Sequence, residues 1–130
     1  MPGFSFAAPS DWTVTTSARK AVAEHGETEL VQVSTFPLAK PYHPGRFPET
    51  KPEIERAAKQ LQAQLHSGLV ERELTVAGER TLQFDLEHDG VVEQVTFVLR
   101  GQTEYQLYCR RGKDDSAQPC ERLAATFTPR

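Results

Sequence analysis

Cysteine occurs only twice in this 130-residue chain, and tryptophan and methionine once each. Cys109 and Cys120 lack the short paired spacing and neighbouring histidine of a zinc site. His25, His43, His66 and His88 show no metal-ligand spacing either, so neither metal nor cofactor is expected. No apolar run approaches the roughly 18 residues of a membrane span. A basic excess is also missing. Fifteen Lys and Arg stand against 18 Asp and Glu, a formal net charge of −3. That balance lacks the concentrated basic face with which nucleic-acid binders neutralise phosphates. Met1-Pro2-Gly3 leads straight into Phe4-Ser5-Phe6, without the charged and apolar regions of a secretory leader. Both a cytosolic protein and a trimmed leader are compatible with that opening.

What is present is alternation. From Arg80 to Arg110 the chain reads as three long consecutive strands, with tight turns at Asp89-Gly90 and Gly101-Gln102. Leu82, Phe84 and Leu86 alternate with Thr81, Gln83, Asp85 and Glu87. Val95, Phe97 and Leu99 repeat the pattern, followed by Tyr105, Leu107 and Cys109. Asp-Gly supplies the positive φ angles of a two-residue hairpin turn. One apolar sheet face needs a cover, because a single layer cannot hide it from water.

Earlier in the chain, Phe4 and Phe6 flank Ser5 in a short strand, and Trp12 to Thr16 is β-branched and aromatic. Ala18 to Glu24 reads as an irregular or extended connection, and Glu29 to Phe36 alternates again. Prolines 37, 41, 44, 48 and 52 then predict a long loop from Pro37 to Pro52. The main helix is expected from Thr50 to Ser67. Thr50 and Glu53 have capping-box spacing, and Ile54, Ala57, Ala58, Leu61 and Leu65 form its apolar stripe. Leu69 to Val76 gives another strand. A final helix starts near Ser116 and turns Cys120, Leu123, Ala124 and Phe127 to one face.

Signals of chemistry are weak. A Cys109–Cys120 bridge would close a loop of about 12 residues and contribute on the order of 3 kcal/mol. The alternative is two reduced, buried, small apolar side chains. Asp85-x-Glu87-x-Asp89-Gly90 echoes a calcium loop, but Thr96 stands where a bidentate Glu belongs. No serine has a nucleophile-elbow context, so a non-enzymatic protein is expected. In the proline-rich stretch, Tyr42 and Phe47 read as anchors of a contact surface, with His43 and Arg46 as polar partners. The competing reading folds those aromatics over a sheet edge.

Phe4-x-Phe6-x-x-Pro9-x-x-Trp12, Phe97-Val98-Leu99-Arg100-Gly101, Tyr105-x-Leu107-x-Cys109 and Cys120-x-x-Leu123-x-x-x-Phe127 resemble the PsbP-like superfamily, in particular its bacterial members. The resemblance implies an antiparallel sheet between helices, an α/β/α sandwich. It also implies a secreted or lipoprotein-like setting, although the lipobox cysteine of a lipoprotein is lacking. Relatives dock onto protein partners, the photosystem lumenal face or, for the Mog relatives, the small GTPase Ran. The chain is therefore read as one α+β domain over residues 1–130. Its mostly antiparallel sheet of about seven strands packs against a central and a C-terminal helix. The expected function is extracytoplasmic docking of a protein partner. The alternative is a small-molecule or lipid carrier with an apolar helix–sheet cleft of several hundred Å³.

Overall fold

A computed structural model describes residues 3–130; Met1 and Pro2, where the reading for a leader begins, lie outside the described residues. The chain runs through β1 (Phe4–Ser5), β2 (Thr13–Thr16), β3 (Lys20–His25) and β4 (Glu29–Tyr42). A 3-10 turn at Pro44–Arg46 leads into α1 (Phe47–Leu65). Then come β5 (Val70–Val76), β6 (Glu79–His88), β7 (Val91–Gly112), α2 (Gln118–Thr126) and β8 (Thr128–Pro129). The main sheet is antiparallel throughout, ordered β2-β3-β4-β7-β6-β5, and β1 pairs with β8 in a separate two-stranded ribbon.

Turn chemistry sets the β5–β6 and β6–β7 hairpins. Asp89 and Gly90 have φ of 51° and 76°, and Ala77 and Gly78 have 52° and 82°. Two successive left-handed residues match the strand twist of a tight hairpin. β7 carries a different kind of reversal. Twenty-two extended residues laid straight would reach about 70 Å. Yet the Lys113 N–H donates to the Gly90 carbonyl at 2.8 Å, which brings the two ends of the strand together. The N-terminal part pairs with β6 and the C-terminal part with β4, and no residue pairs with both. β7 therefore doubles back into two arms, bending around Gly101, whose φ is +59°. The expected reversal is there, but the extended conformation continues through it.

Between Pro37 and Pro52 the structure replaces the expected loop. β4 continues to Tyr42, with a register shift against β7 between Pro37 and Tyr42. β3 has already ended opposite Ser34, so Pro37 and Pro41 cost no ladder bond on that side. The helix begins three residues earlier than the capping-box reading gave. The Thr50 hydroxyl donates to the Arg46 carbonyl at 3.0 Å instead of capping. Pro48 lies in the first turn, and Pro52 lies inside the helix, where it has no N–H to donate. At the other end, His66 is the C-cap of α1 and takes a left-handed φ of 51°. The N-cap of α2 is Ala117 rather than the expected Ser116, whose hydroxyl, one residue earlier, accepts from the Gln118 N–H at 3.1 Å.

The two helices cover opposite faces. Leu82, Phe84, Leu86, Val95 and Leu99 pack with Phe47, Ile54 and Ala58 of α1. The other face gathers Ala23, Val31, Val33, Val98, Leu107 and Cys109 against Cys120, Leu123 and Phe127. Phe4 and Trp12 join this second core from the N-terminal segment. A Cys109–Cys120 disulfide, with Cα atoms 5.5 Å apart, fastens α2 to β7. Among the described residues no helix is long and apolar enough to cross a membrane.

Candidate functional site

The four side chains expected to form a contact surface do not act together. Phe47 is 2% exposed, so it is core rather than anchor. The Arg80 guanidinium lies 4.4 Å from its ring centroid and caps it from solvent. Tyr42 is half-buried and packs on the same core, and its burial, with Glu79 nearby, raises its phenol pKa. His43 is exposed, and Arg46 pairs with Glu49 at 3.6 Å. Tyr42 and Arg46 still share a groove of about 360 Å³ with Leu38, Lys40 and Glu53. The start of α1 at Phe47 turns that ring inward, an orientation that proline content alone does not reveal.

The cleft expected between helix and sheet is present, with a mixed lining. Beneath α2 a hollow of about 330 Å³ has Leu74, Ala124 and Ala125 beside Gln83, Gln94 and Glu121, and one of about 270 Å³ is lined by Arg72, Gln83, Asp85, Gln94 and Glu121. Their hydrogen bonds are already used internally. Arg72 donates to Gln83 and Asp85, Gln94 donates to Asp85 at 2.9 Å, and Gln83 donates to Thr96 at 2.9 Å. An apolar ligand would have to displace this satisfied network, at the cost of buried unpaired groups.

The closest approach to a constellation of titratable groups joins the arms of β7 to the end of β6. The Tyr108 hydroxyl and the His88 Nε2 both meet the Glu93 carboxylate, and His88 Nδ1 lies 3.3 Å from Asp89. Hydrogen bonds to Glu93 and Asp89 raise the His88 pKa above its ordinary value. Burial, reinforced by Glu93, pushes the Tyr108 phenol well up, so it stays neutral as a donor. This arrangement favours the protonated imidazole and ties the two strands together. It presents no activated nucleophile, because each member is engaged by another.

A different place, unnoticed in the sequence, combines an apolar hollow with unpaired backbone. β2 is one edge of the main sheet, and all four of its residues are exposed. Ser17 turns its N–H inward to the Lys20 carbonyl at 2.8 Å. By the alternation of an antiparallel ladder, Val14 and Thr16 turn their N–H and C=O groups outward. The same two residues line a groove of about 350 Å³ with Phe4, Phe6, Trp12 and Arg130. Trp12 is fixed in its wall by stacking on His25, centroids 5.9 Å apart.

The opposite edge of the sheet differs. β5 carries Glu71, Arg72 and Glu73 in succession, and Arg72 and Glu73 are tied to Asp85 and Arg80. Charged side chains along an edge strand deter pairing with another chain. β2, with the sequence Thr-Val-Thr-Thr, has neither charge nor proline, and Val14 is 59% exposed. The signal in the sequence was a β-branched run without the charges that its counterpart carries.

Comparison with known proteins gives a fold likeness. No family model and no curated protein matches the chain. A 1.50 Å crystal structure from Bacteroides thetaiotaomicron VPI-5482 superposes with a TM-score of 0.61 at 18% sequence identity. The match covers 100% of this chain and 47% of that one, so this chain spans about half of its neighbour's length. At that identity the likeness concerns architecture alone.

Proposed function

We propose that this protein is a non-enzymatic binding module that takes an extended protein segment along β2. The observation that carries the reading is the unguarded β2 edge beside an apolar groove. Strand addition draws its affinity from main-chain hydrogen bonds and its selectivity from hollows that receive alternate side chains. Val14 and Thr16 offer the first, and the hollow walled by Phe6 and Trp12 offers the second. The Tyr42–Arg46 groove is the weaker candidate, since Phe47 has been withdrawn into the core.

The same proposal places the protein outside the cytoplasm. The Cys109–Cys120 bridge supports that placement, because such bonds persist in oxidising compartments. Membership of the PsbP-like superfamily is likewise proposed, supported by the order of elements and the helices on opposite faces of the sheet.

Selection of a short random peptide library on the disulfide-intact protein tests the reading. Enriched peptides should be extended and alternate in hydropathy, and Val14→Pro should abolish their binding. Proline there removes an outward N–H while leaving the inward β2–β3 ladder intact. Enriched peptides that bind the Val14→Pro protein as well as the wild type would refute the proposal.

A further inference from the structure

The β2 edge also has an electrical direction. Asp11, Glu24 and Glu27 are exposed around its Thr13 end, and Arg19 and Lys20 are exposed beyond its Thr16 end. A strand laid antiparallel on β2 therefore meets cations at its own N-terminal end and carboxylates at its C-terminal end. Its complement is acidic first and basic last. The chain itself supplies that order, from Asp11 through Thr-Val-Thr-Thr to Arg19 and Lys20.

We infer that the segment recognised by β2 is β2 of a second copy, paired antiparallel about a two-fold axis at Thr15; this rests on the strand-addition reading above. The outward groups fix the register. Val14 of each copy exchanges two backbone hydrogen bonds with Thr16 of the other, because those residues alone point away from β3. In that register the acidic end of each copy, with Asp11, faces the basic β2–β3 turn of the other, with Arg19 and Lys20, twice by symmetry. Exposed Val14 is covered, and the two main sheets become one continuous sheet.

The contact is short. Four residues a side cover far less than the roughly 1,200 Å² of stable complexes, so the dimer is weak and transient. Brevity also limits runaway edge pairing, and the guarded β5 edge stops growth beyond two copies.

Sedimentation across a concentration series up to about 1 mM tests the inference. Wild type should shift reversibly from monomer to dimer, and Val14→Pro should remain monomeric with an unchanged melting temperature. Two charge variants sharpen the test. Asp11→Lys/Glu24→Lys and Arg19→Glu/Lys20→Glu should each lose self-association by about fivefold or more, and their mixture should recover it as a heterodimer. Monomeric wild type at the highest concentration overturns the inference. So does a dimer indifferent to Val14→Pro, or a mixture no better than its parts. If wild type stays monomeric while library peptides still require the Val14 N–H, self-pairing falls and strand addition stands. If neither occurs, both fall.

Discussion

Glu93 and Tyr108 lie 15 residues apart on one extended stretch, yet the phenol of one donates to the carboxylate of the other. That contact is possible because β7 folds back on itself, and it fastens the two arms together on the α1 side of the sheet. Tyr108→Phe should lower unfolding free energy by about 1–2 kcal/mol, since Glu93 keeps only His88 as a partner in a half-buried position. Urea denaturation of the two proteins checks this, and an unchanged midpoint would show the contact to be incidental.

His88 makes stability depend on pH. Its folded pKa is raised above the unfolded imidazole value of about 6.5 by Glu93 and Asp89. The contribution is thus fully present below that value and is lost as pH rises through the folded pKa. The wild type should lose stability relative to His88→Gln as pH rises from about 6.5 through the raised folded pKa. Parallel denaturation midpoints for the two proteins over that range would fail this expectation.

Removing the Cys109–Cys120 bridge, by reduction or by paired Cys→Ser substitution, should cost about 2–4 kcal/mol. The bridge joins α2 to the sheet, so amide exchange should rise first from Gln118 to Thr126. Uniform exchange across the molecule would argue against this local role.

Phe47 and His43 should separate sharply. Phe47→Ala empties a fully buried position and should cost about 3–5 kcal/mol. His43→Ala alters an exposed side chain and should stay within about 0.5 kcal/mol. Thermal unfolding of both variants measures the difference.

Ala77 occupies a left-handed conformation that suits glycine better. Ala77→Gly should stabilise the protein by about 0.5–1 kcal/mol, less whatever packing its methyl group makes with the α2-side core. A loss of stability would mean that the methyl contact outweighs the backbone strain.

Period-two alternation revealed most of the sheet, because Leu82, Phe84 and Leu86 mark the face that α1 covers; the opposite face, where Thr81 and Gln83 are buried too, carried no such signal. β3 was harder to read. Its inward residues Ala21 and Ala23 are small and weak in strand preference, so the alternation carried little contrast. Proline misled in the other direction. Pro37 and Pro41 fit a strand whose neighbour has ended, Pro48 fits the first turn of a helix and Pro52 is carried inside it, so a proline-rich stretch need not be a loop. The β2 edge escaped notice because exposure of a backbone edge depends on which strand lies outermost. That order comes from long-range pairing and is not written in any local pattern.

The ring closed by the two sulfurs has a practical consequence for the hairpin arm and helix it joins. A protease that nicks the exposed Lys113–Asp114 link would leave the C-terminal piece covalently held. The cut protein would migrate intact on a non-reducing gel and fall into two fragments once thiol is added. Damage at that turn would therefore pass unseen for as long as the surroundings stay oxidising.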